Sequence, residues 1–277
     1  MNALLVVLIA SVLGLLILCF IKHKRQPLLS TILSLIVMIA FCLFVIYIGE
    51  GHGEASEAEA VKATPIQLEK ATLIKIEESV LIDAPHIQQL PELPRGCEVT
   101  SLAMLLRSAG VQADKMTLAK EVKKDPTDRT IVNGQIHFGN PHKGFVGNMY
   151  TFNEPGFGVY HKPIMELAES YLPGRIVNLS NQSFEELKIP LSDGRPVWVI
   201  INSHYKKLDD SFFETWHTAD GEIQITMKEH SVLITGYDEH FVYFNDPLNL
   251  QTKAPIEDFK QSWVQMGSHA LTYSYED

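Results

Sequence analysis

Cys97 is the residue in the polar part of this chain with the clearest capacity for chemistry. The other two cysteines, Cys19 and Cys42, lie in long apolar segments, where cysteine behaves as a small hydrophobic residue. Cys97 therefore has no disulfide partner in the polar part of the chain. A lone thiol of this kind is either buried for packing or used in a reaction, and its neighbours distinguish the two.

The segment after Cys97 has the pattern of a buried helix. Apolar residues recur with the spacing of one helix face, at Val99, Leu102, Ala103 and Leu106. Gly110 is the predicted stop, and the prolines and glycine before Cys97 prevent an earlier start. Cys97 is thus predicted on the first helical turn, where unpaired N–H groups and the helix dipole favour a thiolate. That position suits a nucleophile better than a packing residue.

A nucleophilic cysteine needs a base, and a predicted β-hairpin supplies one. Residues 230–247 are predicted to form two strands joined by a turn at 238–240. His230 begins the first strand and Asp246 ends the second. Most of the other histidines after the apolar segments are expected at the surface or in loops.

The pairing register decides whether this histidine and aspartate meet. If Tyr237 pairs with Phe241, Asp246 lies opposite Val232, and His230 is its diagonal neighbour, within reach of long side chains. A one-residue change in register would place them directly opposite each other or out of phase. An imidazole beside a carboxylate is a base held in one tautomer. The alternative is a surface hairpin with a coincidental ion pair.

These features together resemble the papain-like cysteine peptidases of family 39, which include the peptidase domains that remove double-glycine leaders from bacteriocin precursors. The resemblance is closest to the stand-alone bacterial branch and covers roughly residues 81–273. It rests on segments 89–98 (QLPELPRGCE), 139–147 (GNPHKGFVG), 156–160 (GFGVY), 229–238 (EHSVLITGYD) and 245–247 (NDP).

The resemblance implies a role for each matching residue. Cys97 is the implied nucleophile, His230 the base and later the acid, and Asp246 the orienting group. A glutamine ahead of the cysteine, here Gln89, is implied to donate to the oxyanion beside the Cys97 backbone N–H. The implied fold is α+β, with the cysteine on an N-terminal helix and the histidine and aspartate on an antiparallel sheet.

The chain departs from the leader peptidases at several positions. Their glutamine lies six residues before the cysteine, where this chain has Pro91; Gln89 lies eight before it and Gln88 nine. Glu98 follows the cysteine in place of their usual glycine. The sequence has no phosphate-binding GxxxxGK[ST] motif, and leader removal coupled to export is therefore not expected.

Elsewhere in the body, an α+β pattern is expected from four local signals. These are a helix at Lys162–Tyr171, a capping box at Ser183–Glu186, a buried strand at Pro196–Ile201 and a helix opened by Pro255 with Ile256, Phe259 and Trp263 facing inward. The glycine-rich stretch 138–160 is long for a loop. It is expected either to form a wall of a substrate cleft or to be a plain surface loop.

The first 48 residues predict a membrane anchor. Residues 3–21 and 28–48 are apolar runs long enough to span a bilayer, and a short basic loop with Lys22, Lys24 and Arg25 joins them. That loop is expected to stay in the cytoplasm, so the rest of the chain is expected outside the cell membrane. A signal peptide fits less well, because the first run has no basic segment before it and no small-x-small cleavage site.

The predicted organisation is a two-helix transmembrane hairpin at 1–48, an extracellular stem at 49–80 and a peptidase domain at 81–277. Residues 49–277 carry a formal charge of −13, which argues against sequence-independent nucleic-acid binding. No cofactor or metal is expected, since metal-binding motifs such as HExxH are missing. The expected function is a thiol hydrolase acting on a peptide or protein. The alternatives are a peptidoglycan amidase or endopeptidase and a non-catalytic peptide-binding module.

Overall fold

The computed structural model describes residues 75–275. The two predicted membrane spans and most of the predicted stem lie outside these residues. Within 75–275, no helix has both the length and the apolar character needed to cross a bilayer. Tyr237 Oη donates to the Glu77 carbonyl, 2.6 Å away. Glu77, four residues before the predicted boundary at residue 81, is therefore bonded to the folded body.

The described residues form a mixed α and β structure, as predicted. The helices are α1 (Cys97–Ser108), α2 (Lys115–Glu121), α3 (His161–Tyr171), α4 (Phe184–Ser192) and α5 (Ile256–Gln265), with a 3₁₀ turn at Asp210–Phe212. The strands are β1 (Val80–Leu81), β2 (Lys124–Asp125), β3 (Thr130–Val132), β4 (Gln135–His137), β5 (Phe145–Val146), β6 (Ile176–Asn178), β7 (Val197–Asn202), β8 (Glu214–Thr218), β9 (Gly221–Ile225), β10 (Glu229–Tyr237), β11 (Phe241–Asn245), β12 (Lys253–Pro255) and β13 (Ala270–Tyr273).

An antiparallel sheet forms the centre of the fold. Its strand order is β12–β11–β10–β7–β13–β6, and β1 pairs with the distal end of β10. β10 and β7 pair along their length, from Glu229 opposite Asn202 to Ile234 opposite Val197. Both strands are buried, which explains their nearly continuous runs of apolar residues.

The two faces of this sheet bury two separate cores. Trp198 and Leu233 pack with α1, α2 and α3 on one face, whereas Val199, Val232 and Ile234 pack with α4 and α5 on the other. Because side chains alternate along a strand, the odd-numbered positions of β10 up to Ile234 face α1 and the even-numbered positions face α5.

The hairpin of β10 and β11 has the predicted register at its functional end. Leu233 pairs with Asn245 and Ile234 with Phe244, which places Val232 opposite Asp246 as predicted. Towards the turn the pairing is displaced by one residue, with Tyr237 opposite Val242 rather than Phe241. An irregularity between Ile234 and Gly236 absorbs the displacement, since a bulge inserts one extra residue into one strand.

Most of the local predictions agree with the observed elements. The helix after Cys97 ends at Ser108, and Gly110 has a φ of +84° that suits a glycine. The predicted capping box at Ser183 is wrong, because α4 begins there without a side-chain cap. Its first turn instead includes a backbone hydrogen bond from the Glu186 N–H to the Ser183 carbonyl, 3.1 Å away.

The stretch 138–160 is mainly a core segment rather than a plain surface loop. Its apolar side chains are buried at Phe138, Phe145, Val146, Met149, Phe157, Val159 and Tyr160. β5 lies within it and pairs in parallel with β2. Beside it, the smaller sheet β3–β4–β8–β9 packs Trp216 against Phe138 and Phe157. The exposed portion is short and centres on residues 150–155.

Candidate active site

His230 and Asp246 form a buried pair at one end of the central sheet. His230 Nε2 lies 2.8 Å from Asp246 Oδ1, and each residue is 1% exposed. An ionised aspartate only accepts, so the imidazole donates from Nε2 and keeps its proton there. His230 Nδ1 then has the free lone pair of a base.

Asp246 is held by several further donors. Tyr205 Oη donates to its Oδ2, and the Leu248 N–H donates to its Oδ1 at 2.8 Å. Burial raises the pKa of Asp246, but the hydrogen bonds from His230, Tyr205 and Leu248 outweigh it and lower the pKa below its ordinary value. The orienting carboxylate is therefore ionised at neutral pH.

Cys97 lies on the first turn of α1, as predicted, and α1 is tied to the strand that carries His230. Ser101 Oγ donates to the carbonyl of Ser231, the residue after His230, at 3.0 Å. Trp198 Nε1 donates to the carbonyl of Glu98, also at 3.0 Å. These bonds fix the start of the helix against the central sheet.

The Cys97 thiol makes its hydrogen bond with a carboxylate. Its Sγ donates to Glu98 Oε2 at 3.3 Å, and a Glu229 oxygen belongs to the same cluster, with the three atoms within 4.8 Å of one another. Burial first, and then these two carboxyls, raise the pKa of the thiol well above its ordinary value. The Ser231 backbone N–H opposes this shift. Cys97 is therefore a protonated thiol in this arrangement, despite its helix-start position.

Both glutamates also have raised pKa values. Burial raises the pKa of Glu98 to about 7, against the lowering effect of backbone N–H groups, the thiol and Lys124. Burial and then Glu98 raise the pKa of Glu229 well above its ordinary value. Among the described residues, no other trio of His, Cys, Asp or Glu side chains converges so closely. Since the thiol and the Glu98 carboxylate already satisfy each other, we interpret the trio as an acid cluster.

Gln89, the predicted oxyanion donor, is buried beside the loop that precedes Cys97. Its Nε2 donates to the carbonyls of Leu93 at 3.0 Å and Pro94 at 3.1 Å, and its Oε1 has no partner in residues 75–275. The alternative residue, Gln88, is exposed. In this arrangement Gln89 fixes the approach of the chain to Cys97, and a role at the oxyanion stays a prediction.

The exposed part of the 138–160 stretch borders the same loop. Arg95, two residues before Cys97, donates from Nη1 to the carbonyls of Asn148, at 3.2 Å, and Thr151. The Phe152 ring covers its guanidinium at 4.8 Å and is 67% exposed. This segment therefore lies beside the nucleophile's loop and presents an aromatic side chain to solvent.

Comparison with known proteins identifies the family. The model of the peptidase C39-like family matches residues 81–271. The chain belongs to this family. A Bacillus subtilis (strain 168) protein, the uncharacterized protein YvpB, is 43% identical over 182 residues, which cover 65% of this chain and 70% of that protein.

A solved structure shows the same relationship. A Bacillus anthracis protein, whose crystal structure is described as that of a candidate C39-like peptidase, is 50% identical, with a TM-score of 0.67. The match covers 73% of this chain and 100% of the Bacillus anthracis chain. The comparisons support a peptidase-like hydrolase with an α+β C39-like fold, as the sequence resemblance implied.

Several residues of the site were missed from the sequence. Tyr205 precedes β8 in a loop without a motif, and only the folded structure brings it to Asp246. Only chain position could have pointed to the two glutamates: Glu98 follows the predicted nucleophile, and Glu229 precedes the predicted base.

Two of the other histidines are exceptions to the expectation that most lie at the surface or in loops. His161 and His269 are buried, with their Nδ1 atoms 2.6 Å apart, beside a cavity of about 430 Å³. Burial is the main cause that lowers the pKa of His161 to about 4 and that of His269 to about 3.

Proposed function

We propose that this protein is a membrane-anchored cysteine peptidase whose folded body lies outside the cytoplasm. The observation that carries the proposal is the buried pair formed by His230 and Asp246, 2.8 Å apart at the end of β10. The next residue on that strand is bonded to α1, the helix that begins with Cys97. His230 itself faces α5, while Cys97 lies with Glu229 on the α1 face, so the proposal requires the thiol to reach the imidazole around the end of β10.

The proposed reaction follows the chemistry of these groups. The Cys97 thiol turns from Glu98 towards His230, and His230 Nδ1 takes its proton as sulfur attacks the peptide carbonyl carbon. The C–N bond then breaks, and the His230 imidazolium gives its proton to the leaving amine. Water, deprotonated by His230, hydrolyses the thioester and restores the thiol. Asp246 stabilises the imidazolium throughout without taking up a proton.

The location rests on the sequence. The apolar runs 3–21 and 28–48, with the basic loop between them, support a cell-membrane hairpin that exposes the C-terminal body. The −13 charge of residues 49–277 disfavours direct docking onto anionic wall polymers, which favours a peptide or protein over a wall polymer as substrate. A peptidoglycan amidase is the alternative hydrolase.

One observation favours a second candidate, a non-catalytic peptide-binding module. The Cys97 thiol is protonated and bound to Glu98, which is the state of an unreactive cysteine. The aromatic surface at Phe152 would still bind a peptide in such a protein. The two candidates differ in whether the native thiol reacts and whether new peptide termini appear.

Labelling of intact cells tests the nucleophile and the location together. A membrane-impermeant thiol-reactive peptidase probe is applied to cells that express the wild type or the Cys97→Ala variant, before and after lysis. We expect Cys97-dependent labelling of intact cells. Labelling only after lysis would contradict the outside location. Absence of labelling under both conditions, beside retained peptide binding, would favour the non-catalytic module.

A further inference from the structure

Two glutamates lie against the Cys97 thiol, and the reaction proposed above uses neither. Glu98 is fully buried, and Glu229 is partly buried. One oxygen of each carboxyl and the Cys97 sulfur lie within 4.8 Å of one another. Each glutamate is the chain neighbour of a proposed catalytic residue, so α1 and β10 position the glutamates as rigidly as the nucleophile and the base.

The two carboxyls have different surroundings. Glu98 Oε1 accepts the Val159 N–H at 2.6 Å, and its Oε2 accepts the Cys97 thiol at 3.3 Å. Glu229 Oε1 is buried and has no hydrogen-bond partner among the described residues. A buried carboxylate needs donors, whereas a neutral carboxyl costs less to leave unpaired. Glu98 is therefore the carboxyl that ionises first, and Glu229 is the one that keeps a proton.

The backbone at Gly158 makes room for this pair. A Cβ at that position would lie 2.3 Å from Glu98 Oε1 and 3.0 Å from Glu229 Oε2. A glycine is thus required for both carboxyls to converge here. Two carboxylates enclosed at this distance repel each other, so the pair carries a single negative charge around neutral pH.

The geometry points to a resting lock on the nucleophile: ionised Glu98 accepts the hydrogen bond of the Cys97 thiol and keeps it protonated, while Glu229 retains the proton of the pair. Glu98 is a positioning residue in this proposal, and its effect on catalysis rests on the proposed peptidase function. When Glu98 takes up a proton, the thiol loses its acceptor and the thiolate loses a neighbouring negative charge. The sulfur is then no longer held by Glu98.

The other charged and titratable groups around the pair are few. Lys124, on β2, is the cation that favours ionised Glu98. The Tyr160 hydroxyl faces both carboxyls and stays protonated, because burial and then Glu229 and Glu98 raise its pKa. The even-numbered face of β10 carries His230 with Asp246. The reactivity of the Cys97 thiol therefore depends more on the protonation state of Glu98 than on that of any other group named here.

Alkylation of Cys97 by iodoacetamide tests the lock without a substrate. The full-length protein in detergent is reacted from about pH 5 to about pH 9, and modification of the Cys97 peptide is measured by mass spectrometry. Removal of a nearby negative charge lowers a pKa by about one unit or more, so Glu98→Gln should react about tenfold faster or more at mildly alkaline pH. Glu229→Gln should accelerate the reaction less, because Glu229 is already neutral there. Glu239→Gln, whose side chain is 87% exposed, is the control and should match the wild type.

The wild-type profile gives a second measurement if a variant fails to fold. The lock predicts a shoulder near pH 7, where Glu98 ionises, before the rate rises again. A single smooth ionisation would overturn the proposal, as would a Glu98→Gln rate equal to that of Glu239→Gln or below that of Glu229→Gln. Hydrolysis by His230→Ala is assayed separately. Unchanged hydrolysis there would refute the proposed role of His230 in the peptidase reaction, while the alkylation result still decides the lock.

Discussion

His230 Nε2 lies 2.8 Å from Asp246 Oδ1, and this buried contact joins two strands whose pairing register brings the residues together from 16 positions apart. The contact leaves Nδ1 as the basic nitrogen of the imidazole. An aspartate on this site does two things, since it selects the tautomer and stabilises the positive charge that forms when His230 takes a proton.

Replacement of Asp246 should separate these two effects. Asp246→Ala removes the acceptor of the Nε2 proton, and hydrolysis should fall by about a hundredfold or more, the usual contribution of a positioned acid or base. Asp246→Asn keeps an amide oxygen that accepts from Nε2, so it should retain more activity than the alanine variant. The measurement is kcat/KM for both variants. Equal losses in the two variants would argue against tautomer selection by this residue.

Tyr205→Phe should weaken the ionised state of Asp246. The folded pKa of Asp246 lies below its unfolded value, so its contribution to stability is present above the unfolded pKa and is lost as pH falls through the folded pKa. Loss of one hydrogen bond to this charge should destabilise the protein by about 2 kcal/mol at neutral pH, with a smaller difference in acid. Thermal unfolding at several pH values measures this effect.

Tyr243→Phe is the matched control for that experiment. Tyr243 Oη also donates to an aspartate, Asp238 Oδ2, at 2.6 Å, but on the exposed side of the hairpin. Its loss should change stability less at every pH. A Tyr205→Phe protein as stable as Tyr243→Phe would mean that the Tyr205 hydrogen bond adds little to the site.

Glu229→Gln should stabilise the protein at alkaline pH. The folded pKa values of Glu98 and Glu229 are raised, so the folded state binds more protons than the unfolded state above their ordinary value of 4.5. The stability of the folded state therefore falls as pH rises above this value. The variant should have a higher Tm than the wild type at about pH 8 and a similar Tm near pH 4.5. Glu239→Gln is the control, and a pH-independent difference for Glu229→Gln would contradict the raised pKa.

Adjacent glutamines allow a test of the loop before Cys97. Gln89→Ala removes two hydrogen bonds to buried carbonyls and should cost about 1–3 kcal/mol of stability, with a loss of kcat/KM. Gln88→Ala changes an exposed side chain and should affect neither quantity. If Gln89→Ala lowers kcat while the Tm stays constant, the residue acts at the oxyanion rather than on the loop.

The sequence predicted the parts of this fold that depend on local pattern. The helix of Cys97 and the β10–β11 hairpin each follow from spacing and turn residues, and the relation of His230 to Asp246 follows from strand alternation. The irregularity between Ile234 and Gly236 was not predictable from spacing, because β10 is buried on both faces and its nearly continuous apolar run has no alternation that a bulge would interrupt. Without it, a register set at the turn would have placed the functional end one residue away.

The remaining parts of the site depend on contacts between distant segments. Tyr205 reaches Asp246 across 41 residues, and Val159 reaches Glu98 across 61. Neither contact leaves a periodic signal. The helix-start position of Cys97 was predicted correctly, but it did not reveal Glu98 and Glu229, which with burial raise the pKa of the thiol.

If Cys97 cleaves peptide bonds, new peptide termini appear, and these can be measured. A mixed peptide library is incubated with the full-length wild type and with Cys97→Ala, and termini are identified by mass spectrometry. We expect a consistent set of cleavages with the wild type, which Cys97→Ala and prior alkylation of Cys97 both abolish. Cleavages that persist in Cys97→Ala, or a wild type that binds peptides without cutting any, would contradict this expectation.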